Sequence, residues 1–406
     1  MSNIEISDES PHWRINMFVC LAGSFTTIAA MTMLLPFLPI YVEQLGVTGH
    51  AAIVEWSGIA FGITFLGAGI MAPIWGRVAD LYGRKLILMR ACLSMAICMS
   101  LIGLAQNIWQ LVALRLLAGI LGGYSSGAVV LVATQTPKQR TGWALGVLST
   151  GVMAGTLLGP LIGGTLPGLI GLRETFFLAG GAIFLAFLAT WLLIREDRAP
   201  FEKGVRKVVR GAWAMVPDRR PVITMLVTAM LLMLANMSIE PIITVYLGEF
   251  VPPERVVFTA GLVMAASAIG SIFTAPRLGK LADRIGPWNV IVMCLSVCGL
   301  LLIPQAFVTA SWQLIALRCL MGMSLAGIMP AVSATIRHNV PPVAAGTILG
   351  YSTSAQYAGQ VIGPLAGGFI GGHFGMRSVF LATTLIMFAG AAVNWVVSRR
   401  LAANAR

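Results

Sequence analysis

GVLSTGVMAGTLLGPLIGG, residues 146–164, carries six glycines and one proline among almost wholly apolar neighbours. In a water-exposed helix each interior Gly costs roughly 1 kcal/mol relative to Ala and an interior Pro roughly 3, so in a soluble protein this would be poor helix. In a bilayer the balance reverses. Backbone groups there have no water to turn to, so a spanning segment stays helical, and small residues let neighbouring helices touch.

The composition agrees with the membrane reading. Of 406 residues 57% are hydrophobic and 10% charged, where soluble domains carry about 25% charged residues. A span needs about 20 mostly apolar residues, and twelve such runs occur, at roughly 15–42, 56–75, 86–105, 109–133, 141–165, 175–194, 222–247, 257–276, 288–308, 312–336, 345–370 and 378–397. The leader MSNIEISDES is acidic and the first apolar run continues without a small-residue cleavage site, so it reads as span one and not as a removable signal. The net charge of +12 invites a nucleic-acid reading. Its distribution argues otherwise: with the N-terminus inside, 22 of the 27 Lys and Arg fall on cytoplasmic segments, eight of them between Arg195 and Arg220. That asymmetry is the positive-inside rule for an even number of spans. Both termini are therefore expected in the cytoplasm, the partner is the lipid bilayer, and no nucleic acid is expected.

The chain repeats itself. WQLVALRLLAG (109–119) returns as WQLIALRCLMG (312–322), GRVADLYGRK (76–85) as GKLADRIGPW (279–288), and the opening stretch as GYSTSAQYAGQVIGPLAGG (350–368). The expected fold is an all-α membrane protein of twelve transmembrane helices in two parallel, pseudo-symmetric six-helix halves, residues 1–194 and 221–406, joined by a basic cytoplasmic linker over 195–220. Parallel halves with a site between them at the bilayer midplane are a transporter arrangement.

Within the opening stretch Gly155, Gly159 and Gly163 recur every four residues and so form one groove for close helix approach, and Pro160 removes a backbone bond and bends the helix. Charges at membrane depth cost roughly 3 kcal/mol each on insertion scales, and three residues qualify: Arg115 and Arg318, repeat partners in spans four and ten, and Glu240 near the outer end of span seven. Two readings of Glu240 stand side by side. It exchanges a proton, since desolvation disfavours the charged carboxylate while a nearby Arg favours it, or it forms a structural ion pair with an arginine. The six cysteines, Cys20, Cys92, Cys98, Cys294, Cys298 and Cys319, lie in apolar spans without metal-ligand spacing and read as small hydrophobes; no metal site is expected. His12, His50, His338 and His373 lie near span ends or in loops and receive no role.

Along its whole length the chain resembles the major facilitator superfamily, and within it the twelve-span drug:proton antiporters. Gly76, Asp80, Gly83, Arg84 and Lys85 match the family's loop motif after span two, and Leu111, Arg115 and Gly119 its span-four motif. Gly146, Gly155, Gly159, Pro160, Gly163 and Gly164 match every fixed position of the antiporter motif, and Gly350, Gly359, Gly363, Pro364, Gly367 and Gly368 match it again. YVEQLGVTGH, GLAQNIWQ and RLGKLADRIGP look like a group of multidrug resistance exporters.

The resemblance implies four things. The glycine seam is where the halves rock and stay sealed. Asp80, with Arg84, Gly76 and Gly83, latches the cytoplasmic side when the transporter faces outward; Asp283 does so more weakly, because Pro287 and Trp288 replace the basic pair. Alongside this, Arg77, Arg84 and Lys85 also fit plain positive-inside topology. Arg115 takes part in proton transfer. The substrate cavity is formed by spans one, two, four, five, seven, eight, ten and eleven, with Arg318, Phe25, Met33, Phe61, Phe65, Tyr124, Met153, Met237, Tyr246, Met264, Phe273, Tyr351 and Tyr357 as lining candidates. Aromatics and flexible Met suit several amphiphiles, although ordinary span packing explains any one of them.

The expected function is export of lipophilic or amphiphilic small molecules, driven by the proton gradient, with no cofactor and as a monomer in a bacterial inner membrane. No Walker-type GxxxxGK[ST] occurs, which argues against an ATP-driven pump. Efflux of one specific metabolite, such as a sugar, siderophore or other anion, remains the alternative. An intramembrane enzyme would need clustered His, Cys or carboxylates at membrane depth, and a receptor would need an appended signalling segment; the sequence offers neither.

Overall fold

The computed structural model describes residues 12–137, 139–196 and 212–404, with the side chains of Asp80, Ala212, Pro342, Ala402 and Asn404 outside that description. Each apolar run satisfies its backbone internally as helix. Span one is Trp13–Thr32 with a short continuation Leu38–Gln44; span two is His50–Tyr82, three Arg84–Gly103, and four Ile108–Leu121 continued by Tyr124–Gln135. Spans five and six are Thr141–Ile170 and Leu172–Leu193. Span seven is Arg219–Ile239, a 3-10 turn Glu240–Ile242 and Ile243–Leu247; eight is Pro253–Ile285 and nine Pro287–Gln305. Span ten is Ser311–Leu325 continued by Ile328–Asn339, eleven Pro342–Phe374 and twelve Met376–Asn404. Among the described residues eleven of the twelve are long and apolar enough by composition alone to cross a membrane. Span eleven is the more polar one, interrupted by Ser352, Thr353, Ser354, Gln356 and Gln360.

The sequence repeat is a repeat of geometry. The tight turns between spans two and three, five and six, eight and nine, and eleven and twelve each pivot on one glycine, Gly83, Gly171, Gly286 and Gly375, with φ between 86° and 100°, a region an L side chain rarely adopts. The Tyr41 hydroxyl donates to the Ile102 carbonyl and Tyr246 to the Gln305 carbonyl at 3.0 Å. Each ring packs on a phenylalanine, Phe176 at 5.0 Å and Phe380 at 5.1 Å between centroids. Two buried aromatic clusters thus fasten spans one, three and six in one half and seven, nine and twelve in the other.

The glycine-rich helices answer the question their composition raises. A Cβ at Gly155, Gly159 or Gly163 would stand 2.8 Å from the Phe25 carbonyl, 2.0 Å from Thr32 Oγ1 and 1.8 Å from the Met33 carbonyl. At Gly359, Gly363 and Gly367 it would meet the carbonyls of Met230, Leu234 and Ser238 at 2.3, 2.6 and 2.0 Å. The groove therefore seats span one on span five, and span seven on span eleven. The second glycine of each pair turns elsewhere: Gly164 abuts Val257 and Phe258 of span eight, Gly368 abuts Val54 and Glu55 of span two, Gly261 meets the Pro160 carbonyl and Gly58 the Pro364 carbonyl. One motif thus serves two contacts, packing within a half and sealing between halves.

That seal lies on one face only. At the opposite ends of the same helices, where the basic loops gather, a Cβ on Gly76, Gly142, Gly146, Gly279, Gly346 or Gly350 would meet nothing within 4 Å. The first glycines of both motif copies therefore make no close contact here, because the halves part on the basic face while they meet on the other.

Spans one, four, seven and ten are broken. At the Gly122–Gly123 break in span four the released carbonyls are collected from outside: Trp75 Nε1 donates to Ile120 at 2.7 Å, Ser94 Oγ to Leu121 at 3.1 Å and Arg90 Nη2 to Gly122 at 3.1 Å. The Arg90 guanidinium lies 3.3 Å over the Trp75 ring centroid. Buried backbone groups must find partners, so spans two and three hold this break open.

Candidate functional site

Among the described residues, cavities lie on both sides of the interface between the halves. The first, about 360 Å³, is lined by Thr27 and Met31 of span one, Thr64 and Phe65 of span two, Met95 and Met99 of span three, Arg115 and Tyr124 of span four, and Thr353, Gln356, Tyr357 and Gln360 of span eleven. The second, about 310 Å³, is lined by Met153 and Thr156 of span five, Met233, Asn236 and Glu240 of span seven, Met264, Ser267 and Ser271 of span eight, and Met329 of span ten. All eight expected spans contribute. Span three joins them, since its Met95 and Met99 reach the first cavity.

Arg115 is 1% exposed. Its Nε donates to the Ala60 carbonyl at 3.1 Å, its guanidinium lies 5.6 Å from the Phe61 ring centroid, and its Nη2 has no hydrogen-bond partner. Gly119, one turn further on, brings span four onto the Thr64 carbonyl, and that close approach presses the arginine to the cavity wall. Arg318 repeats the burial, with Nε and Nη2 both lacking hydrogen-bond partners, but it lines neither cavity. Arg318, expected as a lining residue, is thus not among the residues that border these two cavities.

Glu240 does not sit inside a continuous helix as its apolar surroundings predict. The helix stops at Ile239, and Glu240 opens a short 3-10 turn ahead of Pro241. Proline lacks the N–H that would continue the ladder. The carboxylate is half-buried on the second cavity and accepts from Asn236 Nδ2 at 3.0 Å. Among the described residues no Arg nitrogen lies within 4 Å of it; Arg318 is beyond that distance yet within Coulombic reach. The direct ion pair offered as the structural reading of Glu240 is therefore not formed.

The lining candidates divide. Phe65, Tyr124 and Tyr357 line the first cavity and Met153 and Met264 the second. Phe61 packs beneath Arg115 and on Phe65, with ring centroids 5.3 Å apart. Met33 and Tyr246 are buried in helix packing, Met237 packs on Gly363, and Phe25 presents its carbonyl to Gly155. Phe273 is 66% exposed, and Tyr351, 46% exposed, lies 6.3 Å from Trp213. None of these seven, Phe61 included, lines either cavity, because helical periodicity alone does not tell a cavity face from a packing face.

At the basic face the Asp80 side chain lies outside the described residues. The neighbouring turn is organised by Glu196, at the end of span six, whose carboxylate accepts from the backbone N of Arg84 at 2.8 Å and of Lys85 at 2.9 Å. A carboxylate at a helix N-terminus is stabilising, and this one ties span six to span three. Asp283 is exposed with no hydrogen-bond or ion-pair partner within the described residues. On the sealed face His373 of span eleven lies 3.0 Å from Glu55 Oε1 of span two, with its Nδ1 also 3.1 Å from the Phe369 carbonyl. Sequence reasoning missed this link between the halves. The available signal was that the start of span two and the end of span eleven share a face.

Two broken-helix halves, glycine-sealed on one face and open on the other, with largely apolar cavities that each carry one charged residue, define a membrane transporter. The chain belongs to the Major Facilitator Superfamily, whose family description matches residues 20–303 and 256–405. It is 44% identical to the multidrug resistance protein MdtG of Salmonella paratyphi C (strain RKS4594), over 97% of this chain and 98% of that one, and 43% identical to MdtG of Salmonella typhimurium, again over 97% and 98%. In fold it resembles a bacterial homologue of the human lysosomal transporter Spinster in an inward-facing, occupied conformation, with a TM-score of 0.79 at 15% identity, covering 96% and 98% of the chains. The nucleoside transporter NupG gives 0.77 at 15% identity, covering 93% and 98%.

Proposed function

We propose that the protein exports lipophilic or amphiphilic small molecules in exchange for protons, by rocking of its two halves about the glycine seams. The observation that carries this reading is the pair of largely apolar cavities, one lined by Met and aromatic residues beside a buried guanidinium, the other by Met and aliphatic residues beside a half-buried carboxylate. The near full-length similarity to MdtG proteins supports it. The chain works as a monomer in a bacterial inner membrane with both termini in the cytoplasm, so the open basic face is the cytoplasmic one and the conformation is inward-open. A proton entering down 100 mV releases about 2.3 kcal/mol, enough to drive modest export of a neutral solute. In inverted vesicles with a pH-sensitive dye, addition of a lipophilic cation should release protons in wild type only; transport that ignores the proton gradient would overturn the reading.

A second reading has one observation in its favour. Arg115 lines a cavity that also carries Gln356, Gln360 and Thr353, and its buried Nη2 has no hydrogen-bond partner, a setting that suits one anionic metabolite. If only anions elicit proton release in the same vesicles, the second reading replaces the first.

A further inference from the structure

Where spans seven and twelve reach the basic face they leave a hollow of about 240 Å³, lined by Arg220, Ile223, Thr224, Val397, Arg400 and Leu401. Each helix contributes one arginine to it. Both are exposed, and neither has a carboxylate oxygen within 4 Å among the described residues. Asp218, close in sequence, accepts instead from the backbone N of Arg220 at 2.9 Å, and the Thr224 hydroxyl donates to the Arg220 carbonyl at 2.9 Å. Towards the bilayer the same two helices carry exposed Ile223 and Val227 on one side and Val393 and Val396 on the other, so the hollow opens onto an apolar surface.

The repeat shows that this opening is not forced by the fold. At the matching corner of the first half, Asn16 closes spans one and six: its Nδ2 donates to the Arg195 carbonyl at 2.7 Å and to Gln135 Oε1 at 2.5 Å, and its Oδ1 accepts from the Arg195 backbone N at 3.1 Å. In the second half the corresponding stitch is Asn394 Nδ2 to Thr228 Oγ1 at 2.8 Å. It lies one turn deeper than Thr224 and Val397, and the hollow fills the gap between it and the basic face.

We propose that this hollow binds an anionic phospholipid of the leaflet at the basic face, its phosphate held between Arg220 and Arg400 and its acyl chains laid along Ile223 and Val397. Guanidinium forks match phosphate oxygens bidentately, and basic pockets between transmembrane helices on this side of a membrane suit lipid head groups. A free phosphate would satisfy the arginines but leave the apolar wall uncovered. A zwitterionic lipid would bring its own ammonium into the field of the two guanidiniums.

Native mass spectrometry of the full chain, released from detergent with equimolar dioleoyl phosphatidylglycerol and dioleoyl phosphatidylcholine, tests this. Wild type should retain the glycerol lipid over the choline lipid by about tenfold, and Arg220→Gln/Arg400→Gln should remove most of that preference. Arg219→Gln/Arg399→Gln takes the same charge from the same helices outside the hollow and should change retention by less than about twofold. All four arginines are exposed, and equal lipid-free unfolding midpoints will show that both variants fold. The proposal is overturned if Arg220→Gln/Arg400→Gln keeps the preference, if the control pair loses as much, or if millimolar inorganic phosphate displaces the glycerol lipid.

Discussion

Glu240 and Arg115 stand on different cavities, and that separation sets what each substitution does. Because Glu240 is held by Asn236 and not by a guanidinium within 4 Å, Glu240→Gln leaves no arginine stripped of a contact partner. Folded yield should stay near wild type, whereas breaking a fully buried ion pair costs about 3–5 kcal/mol. Substrate affinity of the variant should persist and lose its dependence on pH, read by equilibrium binding between mildly acidic and mildly alkaline buffers; a collapsed yield would restore the ion-pair reading. Both residues were legible in the sequence because charge is expensive at membrane depth. Their assignment to opposite cavities was not, since depth along a helix says nothing of the direction it faces. Glu196 was illegible for a related reason, since its contact joins residues more than a hundred positions apart with no repeat or motif marking it, and for the Glu55–His373 link the shared face of spans two and eleven named the ends but not the pair.

Among the elements, the glycine helices divide into positions that tolerate a methyl group and positions that do not. At Gly163 an added Cβ falls 1.8 Å from a backbone carbonyl of span one; at Gly159 it falls 2.0 Å from the Thr32 hydroxyl and 2.8 Å from the Ala29 carbonyl, a lesser backbone clash; and at Gly146 nothing lies within 4 Å. Gly163→Ala should therefore destabilise by about 1–3 kcal/mol, the usual cost of overpacking, and lower the thermal midpoint. Gly159→Ala should be milder, Gly159→Leu should abolish transport while the protein still inserts, and Gly146→Ala should leave the midpoint unchanged. A graded series that came out flat would mean span five does not rest on span one. The sequence made the groove visible through its four-residue spacing. The division of labour within Gly163–Gly164 and Gly367–Gly368 was hidden, because neighbouring positions on a helix face about 100° apart and only the placed partners say which helix each one meets. The break in span four was hidden likewise, since Gly122–Gly123 resembles every other glycine pair until Trp75, Ser94 and Arg90 are found on its carbonyls.

For the whole molecule, the balance between the two faces is the functional variable. Glu55→Gln weakens the contact to His373 on the sealed face. The pair is partly exposed and worth about 0–1 kcal/mol, so its loss should shift populations up to about fivefold towards the outward-open state, read by spin-label distances across that face. Asp80→Asn should shift them the other way, towards the inward-open state, with Asp283→Asn the weaker; unchanged cysteine accessibility on the basic face would remove the latch. The duplicated halves and their order were legible from three repeated stretches, whereas which face is open is a property of the conformation and leaves no trace in the sequence. If Glu240 carries the coupling, a proton taken up in the second cavity is exchanged for substrate. Proteoliposomes loaded with a pH-sensitive dye, comparing wild type and Glu240→Gln at equal folded content, measure that exchange directly: substrate-dependent proton flux is expected in wild type and none in Glu240→Gln, and equal flux in both would contradict proton uptake at Glu240.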